Sequence, residues 1–199
     1  GGIAYLDEHI GQLLAELHRQ GLGENTLVAI TSDHGESFGE HGLSGHGTGL
    51  YREQIWVPLI VWGPGRVPAG GRVAHPVSTA ALPATLVELL GAGDGARFPV
   101  ASLVPLWNGA AAPHDWPYPL SELAHFPHQG RQAPAAHGAL RSLISPRWHY
   151  IVHEKLGAEL YDWVADPAEL KNLAGTPQGR AVAGDFAARL RKMLAQSLP

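Results

Sequence analysis

Asp33 and His34 are neighbours, and His46 follows twelve residues later between Gly45 and Gly47. A carboxylate next to a neutral imidazole is a mixed oxygen–nitrogen donor pair for a divalent cation. It suits Zn or Mn, and Ca tolerates it when further oxygens join. The competing reading is an Asp that caps a turn with a chance His beside it, and spacing alone does not choose. Two ligands do not hold a catalytic metal, so others must come from elsewhere in the fold. His46, flanked by glycines, is open to close approach. That suits a ligand, a general acid or a cation gripping an anionic oxygen, against the plainer reading of a solvated loop His. His41, also beside a glycine, competes for the same role. Glu36 and Glu40 read as partners orienting an imidazole or as solvated loop acids, the second reading being preferred for Glu40.

These residues need a strand end to carry them. Leu27, Val28, Ala29 and Ile30 form an apolar, largely β-branched run that predicts a strand over 27–32, and Asp33 follows it directly. Ligands of open α/β sheets bind just outside the carboxyl ends of strands. Ahead of it, residues 3–20 carry apolar positions (Ile3, Leu6, Ile10, Leu13, Leu14, Leu17) at helical spacing, and Gly21 and Gly23 supply the stop. A second apolar run, Ile55 to Trp62, predicts a buried strand with Pro58 at its start or on an edge. Residues 77–90 predict a helix beginning near Pro83, with Leu82, Leu86, Leu89 and Leu90 as its core stripe. From 91 to 119 no periodicity survives, and the stretch reads as a surface connection. Short strand-like runs at 139–144, 148–152 and 159–163 predict a small antiparallel meander, and residues 179–197 a closing amphipathic helix. The fold class is therefore α/β with a small antiparallel sheet and a C-terminal helix, divided as 1–112 and 113–199.

Composition narrows the function classes. The 199 residues are 45% hydrophobic and 16% charged, with a formal net charge of −4, which gives a core-forming chain without a basic footprint for nucleic acid. No apolar run approaches the ~18 residues of a membrane span. Cys is absent, which removes disulfides, thiolate metal sites and cysteine nucleophiles from this stretch. The opening GGIAYLDEHIGQLLAEL has no Met, signal peptide or leading strand, so the expectation is the C-terminal part of a longer protein.

The run TSDHGESFGEHG, the GHG that follows and LYREQIWVPLIVWGPG resemble the sulfatases of the alkaline phosphatase superfamily. The resemblance extends to both ends. AYLDEHIGQLLAELHRQGLGENTLVAITSDHG is similar to the helix and strand that lead into the family's second metal-ligand pair, VSTAALPATLVELLG to a later helix, and ALRSLISPRWHYI with ELYDWVADPAELKNLA to the C-terminal subdomain. It implies the C-terminal part of an alkaline-phosphatase-like α/β/α sandwich. It further implies that Asp33 and His34 bind the one catalytic divalent metal, Ca or Zn/Mn. Many sulfatases carry Asn at the second position, so His34 leaves the metal open. His46 matches the Lys or His that contacts the sulfuryl or phosphoryl group or its leaving oxygen. Ala81 and Ala84 depart from the family's Asp and Pro, and Pro83 is shifted by one, which loosens the helix start rather than the site.

The implied activity is hydrolysis of small-molecule or glycan sulfate esters, with the nucleophile, a formylglycine, and the first acidic ligands expected upstream of these residues. The chain alone is expected to hydrolyse nothing. Alternatives are a phosphoester or phosphonate hydrolase, a phosphoethanolamine-type transferase of the same superfamily, and a non-catalytic fragment. The family points to a periplasmic or secreted setting. Other positions read as structural: Tyr51, Glu53 and Trp56 as packing rather than site mouth, His149 as exposed on the small sheet, and Asp162 and Asp166 as turn residues. The segment 107–136 is a candidate access loop.

Overall fold

A computed structural model describes residues 1–93, 97–108 and 116–196. In chain order its regular elements are helix α1 (Gly2–Arg19), strands β1 (Val28–Thr31), β2 (Ser37–Phe38) and β3 (Ser44–Gly45), and the short helix α2 (Arg52–Ile55). Strand β4 (Leu59–Trp62), helix α3 (Leu82–Leu89), strands β5 (Leu120–Leu123), β6 (Leu140–Ile144), β7 (Trp148–His153) and β8 (Gly157–Asp162), and helix α4 (Pro177–Gln196) complete the chain. The described residues group into two compact units. One comprises 1–31, 58–73, 79–93 and 97–108, the other 32–57, 74–78 and 116–196. The loop that carries the candidate site thus groups with the C-terminal residues. The boundary expected at 112–113 lies outside the described residues.

In the first unit, β1 pairs antiparallel with β4, Val28 facing Trp62 and Thr31 facing Leu59. The expected single buried strand from Ile55 to Trp62 is not what forms. Residues 52–55 close into a helical turn, and Pro58, which has no N–H to give a ladder, marks the point after which the strand begins. That strand is two-sided: Leu59 and Val61 are partly buried, and Ile60 and Trp62 are exposed. Helix α1 forms on the expected period, yet none of its residues is buried and Ile3 is 88% exposed. Helix α3 carries Pro83 in its first turn, where the missing N–H costs nothing. Its buried face is Ala84 and Thr85 rather than the leucine stripe, and Leu90 is exposed. Small residues win because Thr85 Oγ1 accepts the Leu103 N–H at 2.9 Å, which needs close backbone approach.

The second unit is built on the antiparallel sheet β5–β6–β7–β8. Strand β5, Leu-Ser-Glu-Leu, escaped sequence reading because it is four residues long and carries a charge; residues 109–115 of the same segment lie outside the description. Alternation along the strands sorts two cores. Leu143, Tyr150 and Leu160 face α4, where Phe186 and Leu190 are buried and Val182, Met193 and Leu194 pack around them. Leu140, Ile151 and Tyr161 face the other way and pack with Leu50, Tyr51 and Ile55. The site loop is therefore fastened to one face of this sheet.

His149 follows from that alternation. It shares a face with Ile151 and is fully buried, not exposed as its type suggested. Its Nδ1 lies 2.7 Å from Glu169 Oε1, itself buried. Turn chemistry at Asp162 and Asp166 is present: they accept the N–H groups of Ala165 and Lys171, and Asp162 also pairs with Arg147 at 2.7 Å. No helix among the described residues is long and apolar enough to cross a membrane.

Candidate metal and anion site

Asp33 and His34 come immediately after β1, where the pairing register ends at Thr31. The Ser32 hydroxyl bridges the bend, donating to the His34 carbonyl at 2.8 Å, and His34 N–H donates to Asp33 Oδ1 at 3.0 Å. This Asx-type turn fixes one carboxylate oxygen and leaves the other outward. The Asp33 side chain is 85% exposed. Its pKa is held below the usual carboxylate range, first by its own backbone N–H, then by the His34 imidazole and the His34 N–H. The group is an ionised carboxylate over the whole neutral range.

His34 Nδ1 lies 2.9 Å from the Gly35 carbonyl. A carbonyl only accepts, so Nδ1 carries the proton and Nε2 keeps its lone pair. That Nε2 is 3.7 Å from Asp33 Oδ2. Two donors bound to one cation at about 2.0–2.4 Å each stand roughly 3–4 Å apart. The spacing, the free lone pair and the backbone-anchored second nitrogen fit a divalent ion.

His46 is brought onto His34. The two rings stack with centroids 3.9 Å apart and planes 26° from parallel. Gly45 and Gly47 on either side adopt left-handed conformations (φ 83° and 67°), so the chain turns sharply into and out of this residue. His46 Nδ1 donates to Glu36 Oε2 at 3.1 Å. Glu36 is thus the acid that orients an imidazole, one of its two expected readings. The donor atoms of His34, Glu36 and His46 lie within 4.8 Å of one another, a three-donor group that does not include Asp33. The structure brings His34, Glu36 and His46 together, and Asp33 meets this group through its neighbour His34.

His41 does not compete. Its side chain is 12% exposed, and its ring lies flat against Tyr51 at 3.7 Å and 7°. Nδ1 faces Glu53 Oε1 at 3.0 Å and Nε2 faces the Glu169 carbonyl at 3.1 Å. Both nitrogens meet acceptors, which only the doubly protonated ring satisfies. Burial alone lowers its pKa, but the Glu169 carbonyl and the Glu53 carboxylate outweigh it and raise the value above 6.5. Tyr51 and Glu53 hold this imidazolium, as structural residues. Trp56 packs edge-on to Trp163 with the Arg52 guanidinium 3.7 Å over its ring. Glu40 caps its own turn by accepting the Phe38 N–H.

The sequence did not single out Gln54 or Glu169, both buried polar residues. A signal existed for Gln54: it is an uncharged polar residue inside LYREQIWVPL, beside an otherwise apolar run.

Residues 1–92 match the family model described as Sulfatase. The chain is similar to the choline-sulfatase of Rhizobium meliloti (strain 1021), 33% identical over 185 residues, covering 89% of this chain and 32% of that protein. Among solved structures, one in complex with its substrate D-glucosamine-2-N,6-O-disulfate has a TM-score of 0.79 at 26% identity. The match covers 98% of this chain and 39% of that one. The phosphonate monoester hydrolase of Agrobacterium radiobacter reaches a TM-score of 0.78 at 29% identity, with 98% and 40% covered. The chain spans about a third of the length of the curated relatives it matches.

Proposed function

The chain belongs to the sulfatase family, matched through residues 1–92, and from that premise we propose that it supplies metal-holding and anion-gripping groups of a sulfuric ester hydrolase. Its fold is alkaline-phosphatase-like, as in its solved neighbours. The observation that carries the reading is the pairing of Asp33 Oδ2 and His34 Nε2 at 3.7 Å with the His46 ring stacked on His34 at 3.9 Å.

Asp33 and His34 would hold one divalent cation, which supplies neutralisation of the nonbridging oxygens of a bound sulfuryl group when present. Asp33 contributes a full negative charge, held by the turn described above. His34 contributes Nε2, its tautomer set by the Gly35 carbonyl. His46, its Nδ1 tied to Glu36, would offer Nε2 to the anion; when that nitrogen carries a proton, its N–H donates to an oxygen on which charge develops, or passes the proton to the leaving alcohol. Because the two imidazoles are stacked, an anion held through His34 lies within reach of His46 without loop movement. That is orientation supplied before the reaction begins. The attacking group, a formylglycine in the family resemblance, is not assigned to any residue of this chain.

The substrate class proposed is a sulfate ester of an alcohol or sugar, in line with the relatives named for choline sulfate and for a sulfated glucosamine. A phosphonate or phosphate ester is the second reading, favoured by His34. An imidazole ligand suits Mn or Zn better than Ca, and the phosphonate monoester hydrolase is among the similar folds.

The test is turnover of 4-nitrophenyl sulfate against 4-nitrophenyl phenylphosphonate, on the polypeptide in which the nucleophile accompanies these residues. His46→Ala is expected to lower kcat by about 10²–10⁴ for the preferred ester with little change in bound metal. Unchanged turnover would remove His46 from the chemistry, and a preference for the phosphonate would install the second reading.

A further inference from the structure

Gln54 is a buried carboxamide whose four hydrogen-bonding positions are all filled. Its Oε1 accepts the backbone N–H groups of Thr48 and Gly49, each at 3.2 Å. Its Nε2 donates to Ser37 Oγ at 2.8 Å and to Thr48 Oγ1 at 2.6 Å. Two N–H groups face one end and two hydroxyls the other, so only one orientation of the amide satisfies every partner. The backbone of the same residue adds a fifth link, its carbonyl accepting the Gly35 N–H at 2.8 Å. Gly35 has no room for any side chain: a Cβ there would lie 2.0 Å from the Glu53 carbonyl oxygen.

The partners of Gln54 come from two limbs of one loop. Gly35 and Ser37 bracket Glu36 and follow His34; Thr48 and Gly49 come just after His46 and Gly47. Between the limbs the ladder is only two residue pairs long, Ser37–Gly45 and Phe38–Ser44. Such a short hairpin is marginal by itself. Ser37 extends the clamp further, its hydroxyl accepting from Gln54 and donating to Glu53 Oε1 at 3.4 Å, and Glu53 in turn receives His41 Nδ1.

We propose that Gln54 is a positioning residue for the site. Its side chain ties the limb carrying His34 and Glu36 to the limb carrying His46, and so sets the stacking of the two imidazoles and the Glu36–His46 bond. The inference rests on reading His34 and His46 as site residues, but its geometric content stands without any metal or substrate. Outer partners of this kind typically change metal affinity by about 10–100-fold when removed, because the donors are no longer held in place.

The variant is Gln54→Met, which keeps length and volume and deletes every side-chain hydrogen bond; Gln54→Glu is its conservative control, since both N–H groups and the Thr48 hydroxyl can donate to a carboxylate, and the Ser37 hydroxyl can do so by turning from Glu53. Two readouts are taken: the nuclear Overhauser contact between the His34 and His46 rings of the 199-residue chain without metal, and the affinity for Mn²⁺ by titration calorimetry on the polypeptide in which the upstream ligands accompany these residues. The expected result is that Gln54→Met loses the ring contact and weakens Mn²⁺ about tenfold or more, while Gln54→Glu retains the ring contact. A Gln54→Met chain with both readouts at wild-type values would overturn the proposal. Should that variant not fold, wild-type hydrogen exchange decides. Thr48 and Gly49 amides are expected to be protected through Gln54, and exchange at free-loop rates would overturn it. A wild-type polypeptide carrying the upstream ligands that shows the ring contact but takes no Mn²⁺ leaves Gln54 as the clamp and removes the metal assignment instead.

Discussion

Glu169→Ala is expected to be among the most destabilising single changes in the second compact unit. Glu169 is buried, and its carboxylate serves two donors, the buried His149 Nδ1 at 2.7 Å and the N–H of half-buried Arg52 at 2.9 Å. Alanine orphans both. Each buried unsatisfied donor costs about 1–3 kcal/mol, so orphaning two costs about 2–6 kcal/mol. The middle of that range is roughly 3–5 kcal/mol. His149 Nε2 is buried without a hydrogen-bond partner, so it offers no alternative anchor. At about 2–4 °C per kcal/mol for a chain of this size, the melting midpoint should fall by ~6–20 °C.

A second feature makes the prediction sharper. Glu169 adopts a left-handed backbone, φ 53°, which costs a side-chain-bearing residue about 1–2 kcal/mol. Glu169→Gly loses the same bonds but not that strain, so it should exceed Glu169→Ala in stability by ~1 kcal/mol. Glu169→Gln, which keeps one acceptor and one side-chain shape, should be the mildest of the three. Urea unfolding followed by near-ultraviolet circular dichroism gives the ranking. A Glu169→Ala protein within 0.5 kcal/mol of wild type, or an Ala variant more stable than the Gly variant, would refute the reasoning.

Other outcomes follow from single observations. His41 is held as an imidazolium with its pKa raised, facing Glu53 and Glu169 and stacked on Tyr51. Its stabilising contribution is complete below about pH 6.5 and is lost as pH rises through the folded value. The ring-proton titration of His41 should have its midpoint above 6.5, and His41→Gln should flatten the fall in stability over that window. Phe186→Ala removes a ring buried between Tyr118 and Tyr150, at 5.5 and 5.8 Å, and should cost about 3–5 kcal/mol in thermal or urea unfolding. Gly35→Ala places a methyl against the Glu53 carbonyl and should destabilise by ~3 kcal/mol, the upper end of overpacking, with loss of the His34–His46 ring contact.

The sequence carried the parts of the site that depend on local chemistry. The β-branched run before Asp33 placed the turn, and the glycines around His46 announced a loop able to approach closely. What it did not carry depended on partners distant in the chain. His149 could be placed on a strand by alternation, but which face was covered depends on residues 50–55 and on Glu169, twenty residues further on. Two identical-looking loop histidines, His41 and His46, separated only when each ring's acceptors were known. The run Ile55–Trp62 read as one strand because periodicity cannot register that Arg52–Ile55 turns to give Gly35 a carbonyl. The apolar stripe of α1 was legible as a helix, whereas its exposure was not.

The most direct test of the account is a crystal of the polypeptide in which the upstream acidic ligands accompany these residues, soaked in Mn²⁺ and measured at the manganese absorption edge. An anomalous peak within about 2.0–2.4 Å of both Asp33 Oδ2 and His34 Nε2 is the expected result, absent in an Asp33→Asn crystal treated identically. A peak bound by Glu36 and His46 without Asp33, or none at these residues, would contradict the central claim that Asp33 and His34 hold the metal.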